Sequence, residues 1–201
     1  MEPCDVSEVG DIISSLSNRC SNSDSVPIFI FESLNKEESP IICRLFNLSI
    51  QVGVFPSSLK IARVTPIFKS GDKSLFSNYR PISILSTLSK VFEKLMFKRF
   101  NSFLVRFNVM RDNQFGFRKG RSTSDAVLQF LSDSYDCLEK REHLVSVCLD
   151  LSKAFDTIDH ELLFRKLSWI GVRGVALDWF KSYMSGRTQC VSISGCTILD
   201  I

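Results

Sequence analysis

Apolar positions along this chain follow two rhythms, one helical and one alternating. Val9, Ile12, Ile13 and Leu16 recur at helical spacing, with Ser7 as the expected N-cap and Glu8 in the first turn. Residues 19–27 are polar and read as a loop, and a second helix is expected from Pro40 to Val52. Phe55-Pro56-Ser57-Ser58 breaks it. Ala62 to Lys69 then reads as a strand, in which Pro66 signals an edge or a bulge, and Ser70-Gly71-Asp72-Lys73 as a turn. A long helix is expected from Ser86 to about Arg106, with Leu88, Val91, Phe92, Leu95 and Phe103 on its apolar face and Lys90, Lys94 and Lys98 on another. Ser122 to Asp125 has the form of a capping box, opening a helix that uses Val127, Phe130, Leu131 and Leu138. Leu144-Val-Ser-Val-Cys-Leu149 is short, β-branched and bounded by charge, which predicts a buried strand. Asp159 is the expected cap of a helix from His160 to about Trp169. One more helix follows over Ala176 to Tyr183, and Thr188 to Ile193 alternates as a strand. The order predicts a mixed α/β (α+β) fold without a regular βαβ repeat.

Composition narrows the function classes. The 201 residues are 44% hydrophobic, enough for a sizeable core in one domain or one and a half. A net charge of +3 does not by itself indicate a nucleic-acid partner. Seven cysteines are scattered without a CxxC pair, and there are only two histidines, so a zinc site is not expected. The odd cysteine count and the lack of a signal peptide favour a reducing, intracellular location, in the cytoplasm or nucleus. No apolar run is long enough to span a bilayer, so no membrane partner is expected.

Three stretches carry candidate chemistry. Asp150 closes the apolar run 144–149. A carboxylate at the rim of a sheet can hold a hard cation that in turn holds phosphates. Phe155 follows on a turn that can face the same pocket. The alternative is that Asp150 only terminates a strand, and Asp156 and Asp159 read as turn and cap residues. Next, Lys69 at a strand end and Arg80 after the turn would suit a hairpin gripping a triphosphate, lysine as a point charge and arginine as a fork. Pro81 would fix the backbone beside Arg80. The alternative is a solvated hairpin with ordinary surface charges. Third, Gln114-Phe-Gly-Phe-Arg-Lys-Gly-Arg-Ser-Thr123 looks superficially like a phosphate-binding P-loop. Its glycine spacing is one residue short and Arg121 stands where the lysine should be, which rules that reading out. What remains is a basic loop with two aromatics. From Lys98 to Arg121 there are seven Lys/Arg and one acid, Asp112, a balance that suits a phosphate backbone or a solvated charged surface.

In this order the stretches resemble the reverse transcriptase domain of non-LTR retrotransposons, especially the jockey and chicken-repeat-like branches. The matching words are Gly53-Val-Phe-Pro56, Ile61-Ala-Arg-Val-Thr-Pro-Ile-Phe-Lys-Ser-Gly-Asp72, Asn78-Tyr-Arg-Pro-Ile-Ser83, Gln114 to Thr123, and Leu149-Asp-Leu-Ser-Lys-Ala-Phe-Asp-Thr-Ile-Asp-His160. The resemblance implies a right-hand polymerase: an N-terminal helical extension over 1–57, fingers over 58–142 and a partial palm over 143–201, without a thumb. It implies Asp150 as the first catalytic and metal-binding aspartate, and the Leu151 carbonyl as a second ligand of Mg²⁺ in a two-metal site. It implies that Lys153 and Ala154 offer backbone N–H groups to the triphosphate. Phe155 would stack under the sugar and select dNTPs, Lys69 and Arg80 would hold the triphosphate, and Arg118, Lys119 and Arg121 would track the RNA template. The implied partners are an RNA template, a DNA primer and a dNTP.

Two departures from the family pattern matter. Asn22-Ser-Asp-Ser-Val-Pro27 stands where a glycine-rich loop is usual. The chain also stops at Ile201, before the Pro-Gln-Gly turn and the Ala-Asp-Asp hairpin that carries the remaining metal-binding aspartates. The expectation is therefore an RNA-directed DNA polymerase domain that is inactive alone. The alternatives are a non-catalytic nucleic-acid-binding remnant, an inert gene fragment and a helical interaction module.

Overall fold

The computed structural model describes residues 1–16, 33, 35–152, 154–193 and 196–200. In chain order the elements are α1 (Val6–Ser14), α2 (Asn35–Val52), β1 (Ile61–Phe68), β2 (Tyr79–Ile84), α3 (Thr87–Arg106), α4 (Thr123–Glu139), α5 (His160–Trp169), α6 (Val175–Met184), β3 (Thr188–Ile193) and β4 (Cys196–Asp200). The expected mixture of helix and sheet is present. Two compact units form, one from residues 1–101 with 160–201 and one from 102–159.

The first unit is built on helix packing. Asp5, not Ser7, caps α1: its carboxylate accepts the Glu8 N–H at 2.7 Å, so the helix begins one residue before the serine. α2 begins five residues before Pro40, with Glu37 and Glu38 in its first turn. Proline costs the helix an i→i−4 bond there but does not stop it. The apolar stripes of these helices meet in one core. Val9, Ile12 and Ile13 of α1 lie with Ile42, Phe46 and Ile50 of α2 and Val91, Phe92, Leu95 and Met96 of α3, all buried. Glu8 joins α1 to α3 through Arg99, whose Nη2 lies 2.8 Å from Glu8 Oε2 and whose guanidinium covers the Phe46 ring at 5.2 Å.

At the centre sits Phe55. Its ring packs edge-on against Phe92, Trp179 and Tyr183, with centroids 6.2, 5.4 and 5.1 Å away. The chain enters this position from α2 through Gly53, at φ +72°. A Cβ there would stand 3.0 Å from the Val175 carbonyl oxygen, so glycine is needed for both the turn and the close approach. The buried Trp179 indole N–H donates to Ser49 Oγ at 2.9 Å, and that hydroxyl donates to the Val54 carbonyl at 2.6 Å. The Phe55 N–H donates to Ser182 Oγ at 3.0 Å. Each polar atom carried inward with these rings therefore has a partner.

The sheet has the order β2-β1-β3-β4. β1 pairs antiparallel with β2 and parallel with β3, and β3 pairs antiparallel with β4, a strand that periodicity did not predict. β3 covers β1 only from Ile61 to Val64, so the outer half of β1 has β2 alone beside it. Pro66 lies in that outer half, opposite Pro81. The Lys69 N–H donates to the Asn78 carbonyl at 2.8 Å, which sets the alternation and puts the two prolines at a pair where neither must donate.

The second unit holds the end of α3, the basic loop, α4 and residues 140–159. The capping box is present: Ser122 Oγ accepts the Asp125 N–H and Asp125 accepts the Ser122 N–H at 2.6 Å. Along α4, Val127, Phe130, Leu131 and Leu138 are exposed, so within this unit its apolar face has no cover.

Phe55→Ala should cost about 3–5 kcal/mol in urea unfolding, whereas Phe76→Ala, at a ring that is 93% exposed, should stay within about 0.5 kcal/mol. Glu93 offers a pH test. Burial raises its carboxyl above the ordinary value, against the lowering by the Tyr183 hydroxyl, Arg187 and Lys90. A raised folded-state pKa gives stability that is full below the ordinary value and is lost as pH rises through the folded value. The melting temperature of Glu93→Gln minus that of the wild type should therefore climb as pH goes from about 4 to about 8. A flat difference would show that Glu93 is not held in this way.

Candidate functional site

The sequence-predicted residues fall into two groups, one in each unit. In the first unit, Lys69 and Arg80 stand on the β1–β2 hairpin. Arg80 pairs with Ile67, and Lys69 lies one step past Phe68. Residues two apart on a strand share a face, so the alternation puts Lys69, Ile67 and Arg80 on one face and Phe68 and Tyr79 on the other. The rings of Phe68 and Tyr79 do meet, at 5.5 Å. Ala62 and Val64, the buried residues of β1, share the face of Phe68, so Lys69 and Arg80 lie on the side opposite the core. Both are exposed, and among the described residues neither makes an ion pair.

The connecting turn is tied down within itself. Asp72 Oδ1 accepts from the Ser74 N–H and the Ser74 hydroxyl, both at 2.8 Å, which holds its carboxyl below the usual carboxylate range. Asn78 Nδ2 donates to the Asp72 carbonyl at 2.8 Å, and the Tyr79 hydroxyl to the Lys73 carbonyl at 2.9 Å. Gly71 stands at φ +91°, and a Cβ on it would come within 2.8 Å of Asn78 Nδ2. Ser70-Gly71-Asp72 and Asn78-Tyr79 are thus the two sides of one turn, which sets the positions of the cationic side chains.

The second unit holds the rest. Residues 144–149 do not form the predicted buried strand: the backbone runs without regular structure, and Val145, Val147 and Leu149 are 83%, 75% and 90% exposed. The pattern was strand-like, but a strand needs a ladder partner for its N–H and C=O groups, and none pairs with it among the described residues. Asp150 and Leu151 follow on the same exposed segment, and Ala154 and Phe155 on the turn after it. Lys153 lies outside the described residues, as does the loop 22–27. Asp150 and Leu151 supply a carboxylate and a backbone carbonyl. Among the described residues no group of three His, Cys, Asp or Glu side chains forms a metal cage.

The basic loop is an ordered arch. Arg118 Nη1 donates to the Arg111 carbonyl at 2.7 Å, and Arg118 and Arg121 reach toward Asp112 at 3.7 and 4.0 Å. Arg121 also lies over the Phe115 ring at 5.6 Å. Lys119 at the crest is exposed. Arg118 therefore braces the loop, Arg121 leans on Phe115 beside Asp112, and Lys119 is exposed. A cavity of about 370 Å³ opens beside them, lined by Phe115, Gly120, Arg121, Asp125, Leu128, Gln129 and Ser132.

Sequence reasoning missed Phe117. It has φ +57°, rare for an aromatic, and is 91% exposed. Its ring meets that of Phe155 edge-on at 6.2 Å. The only signal in the sequence was a second aromatic between two loop glycines, and that says nothing about backbone handedness.

Comparison with known proteins places the chain in a family. The family model described as "Reverse transcriptase (RNA-dependent DNA polymerase)" matches residues 67–198. A probable RNA-directed DNA polymerase from transposon BS of Drosophila melanogaster is 31% identical over 96% of this chain and 21% of its own length. That from transposon X-element of the same species is 29% identical over 94% of this chain and 21% of its own length. The RNA-directed DNA polymerase from mobile element jockey of Drosophila funebris is 28% identical over 97% and 21% respectively. The chain thus spans about a fifth of the length of these relatives.

Hydrogen exchange separates the two candidate groups. The amides of 145–149 should exchange at nearly the unprotected rate, while those of the β1–β2 ladder are slowed. Comparable protection in the two segments would mean that 144–149 is paired after all.

Proposed function

The chain belongs to the reverse transcriptase family, as part of the RNA-directed DNA polymerase of a non-LTR retrotransposon, and from this we propose what its residues do. It forms fingers (58–142) and the first part of a palm (143–201), preceded by a helical extension over 1–57. The parent reaction is RNA-templated addition of a dNTP to a primer 3′-hydroxyl. The observation that carries this reading is the second unit's exposed surface, where Phe117 of the ordered basic loop meets Phe155 of the exposed segment that also carries Asp150.

The roles follow from the chemistry. Phosphoryl transfer depends mostly on position and charge neutralisation. Lys69 and Arg80, two cations on one face of a braced hairpin, hold the triphosphate of the incoming nucleotide. Phe155 packs under its sugar and disfavours a 2′-hydroxyl. The backbone N–H groups of Lys153 and Ala154 donate to phosphate oxygens. Lys119 and Arg121 lie along the template's phosphates, and Arg118 keeps the arch in shape. The Asp150 carboxylate and the Leu151 carbonyl are hard oxygen donors of the kind Mg²⁺ takes, two of roughly six. Such an ion would neutralise charge on the phosphates. The 201 residues contain no Asp-Asp pair, so the donor set here is partial and the chain alone does not polymerise.

Binding can be measured on this chain as it stands. An RNA–DNA hybrid should bind with an affinity that falls steeply with salt. Replacing Lys119 and Arg121 together by alanine should lower the salt slope by about 1–2 and weaken all sequences alike. Lys69→Ala and Arg80→Ala should each weaken dNTP binding about tenfold or more without changing hybrid binding. Primer extension by the wild-type chain should give no product. Metal-dependent incorporation would overturn the incomplete-site reading, and no hybrid affinity at low salt would overturn the template role of the loop.

A further inference from the structure

Cys4 and Cys43 form a buried sulfur pair that the polymerase reading does not use. Their Sγ atoms lie 3.5 Å apart, and both residues are under 10% exposed. Cys4 stands just ahead of α1, and Cys43 is in α2, three residues after Pro40. They lie 39 positions apart in the chain. Asn47, one turn beyond Cys43, clasps the Cys4 peptide from both sides: its Oδ1 accepts the Cys4 N–H at 2.7 Å and its Nδ2 donates to the Cys4 carbonyl at 2.9 Å. The Cys43 thiol also donates to that carbonyl, at 3.2 Å, and the Cys4 thiol contacts the Cys43 carbonyl at 3.7 Å. A segment that could otherwise fray is held with its sulfur against the partner sulfur.

We propose that Cys4 and Cys43 are a dithiol oxidation site, which low-molecular-weight disulfides such as oxidised glutathione convert to a crosslink fastening the N-terminal segment to α2. The step balances. Cys4 loses its proton to solvent and attacks a sulfur of the small disulfide, giving a mixed disulfide and one released thiolate. Cys43 then loses its proton and attacks Cys4 Sγ, releasing a second thiolate. The protein gives up two electrons and two protons, and the small disulfide becomes two thiols. Closing the gap from 3.5 Å to bond length needs a shift of about 1.5 Å, which the non-helical segment before α1 can supply.

Rate and equilibrium should diverge at this site. Burial, with the hydrogen bond and the charge of Cys43, pushes the Cys4 thiol up to about 12, so little thiolate exists near neutral pH and attack waits for the segment to open. Exposed Cys148 will react before the buried pair. At equilibrium the order reverses, because the second thiol of the pair is already in place whereas Cys148 must hold a separate molecule.

Peptide mapping tests this on the intact chain. Trypsin leaves Cys4 alone in peptide 1–19 and Cys43 alone in peptide 37–44. The protein is equilibrated at mildly alkaline pH across glutathione buffers of increasing oxidation, acid-quenched, alkylated and digested. The expected product is these two peptides joined, two hydrogens lighter, at a poise where Cys148 is still mostly free thiol. In Cys43→Ser the joined species is absent. The oxidised wild type should also melt higher than the reduced protein, a shift lost in the Cys4→Ser/Cys43→Ser double variant. Separate alkylation or separate glutathionylation of the two cysteines at the most oxidising ratio would overturn the proposal. So would crosslinks scattered among the seven cysteines, or an unchanged melting temperature in a crosslinked protein.

Discussion

The burial of Phe55 is the constraint on which the first unit depends. One ring touches Phe92 of α3 and both Trp179 and Tyr183 of α6, and it is delivered by the turn that ends α2. Aromatic pairs of this geometry gain beyond area alone, and they fix the angles at which helices meet. The turn can reach that position only because Gly53 accepts a positive φ and leaves room for the Val175 carbonyl. Ser49 completes the arrangement by giving the buried indole N–H a partner. Phe55 therefore joins three helices distant in sequence, and the sheet strand that follows it starts from a fixed point.

That fixed point matters for chemistry. β1 leaves the core at Leu59 and Ala62, is pinned by β3 as far as Val64, and then projects with β2 alone. The projecting half carries cations and paired prolines, and its turn is braced by Asp72, Asn78 and Gly71. A hairpin held at its base and braced at its tip carries two exposed positive charges that pair with no acid among the described residues.

The second unit follows different physics. Its loop is ordered by arginine bonds and a capping box rather than by burial, and α4 contributes no buried side chain. Large apolar residues stay in solvent along α4 and along 144–149. Local bonds of this kind can set the shape of a loop and aim side chains such as Lys119 and Phe117, but they do not by themselves give a strand its ladder. Asp150 and Phe155 therefore stand on irregular backbone, and the strained Phe117 supplies the nearest aromatic contact.

Periodicity, caps and turn chemistry are local, so the sequence by itself determined the existence of the six described helices, though not where α1 and α2 begin, together with the β1–β2 hairpin, the Ser122 cap and the words that mark the family. It also determined which residues are cationic, acidic or aromatic, and hence the candidate chemistry of Lys69, Arg80, Asp150 and Phe155. Only the tertiary structure decided matters that rest on distant partners. The run 144–149 has a strand's pattern, yet it lacks pairing within the described residues because a ladder needs a second chain segment. β4 is the exception: it pairs with its sequence neighbour β3, Ile193 opposite Cys196, a local pairing that the alternation over 188–193 did not extend to. Phe117 turns toward Phe155 through a left-handed backbone that side-chain identity would not suggest. Cys4 and Cys43, unremarkable in their spacing, meet only because α1 packs on α2.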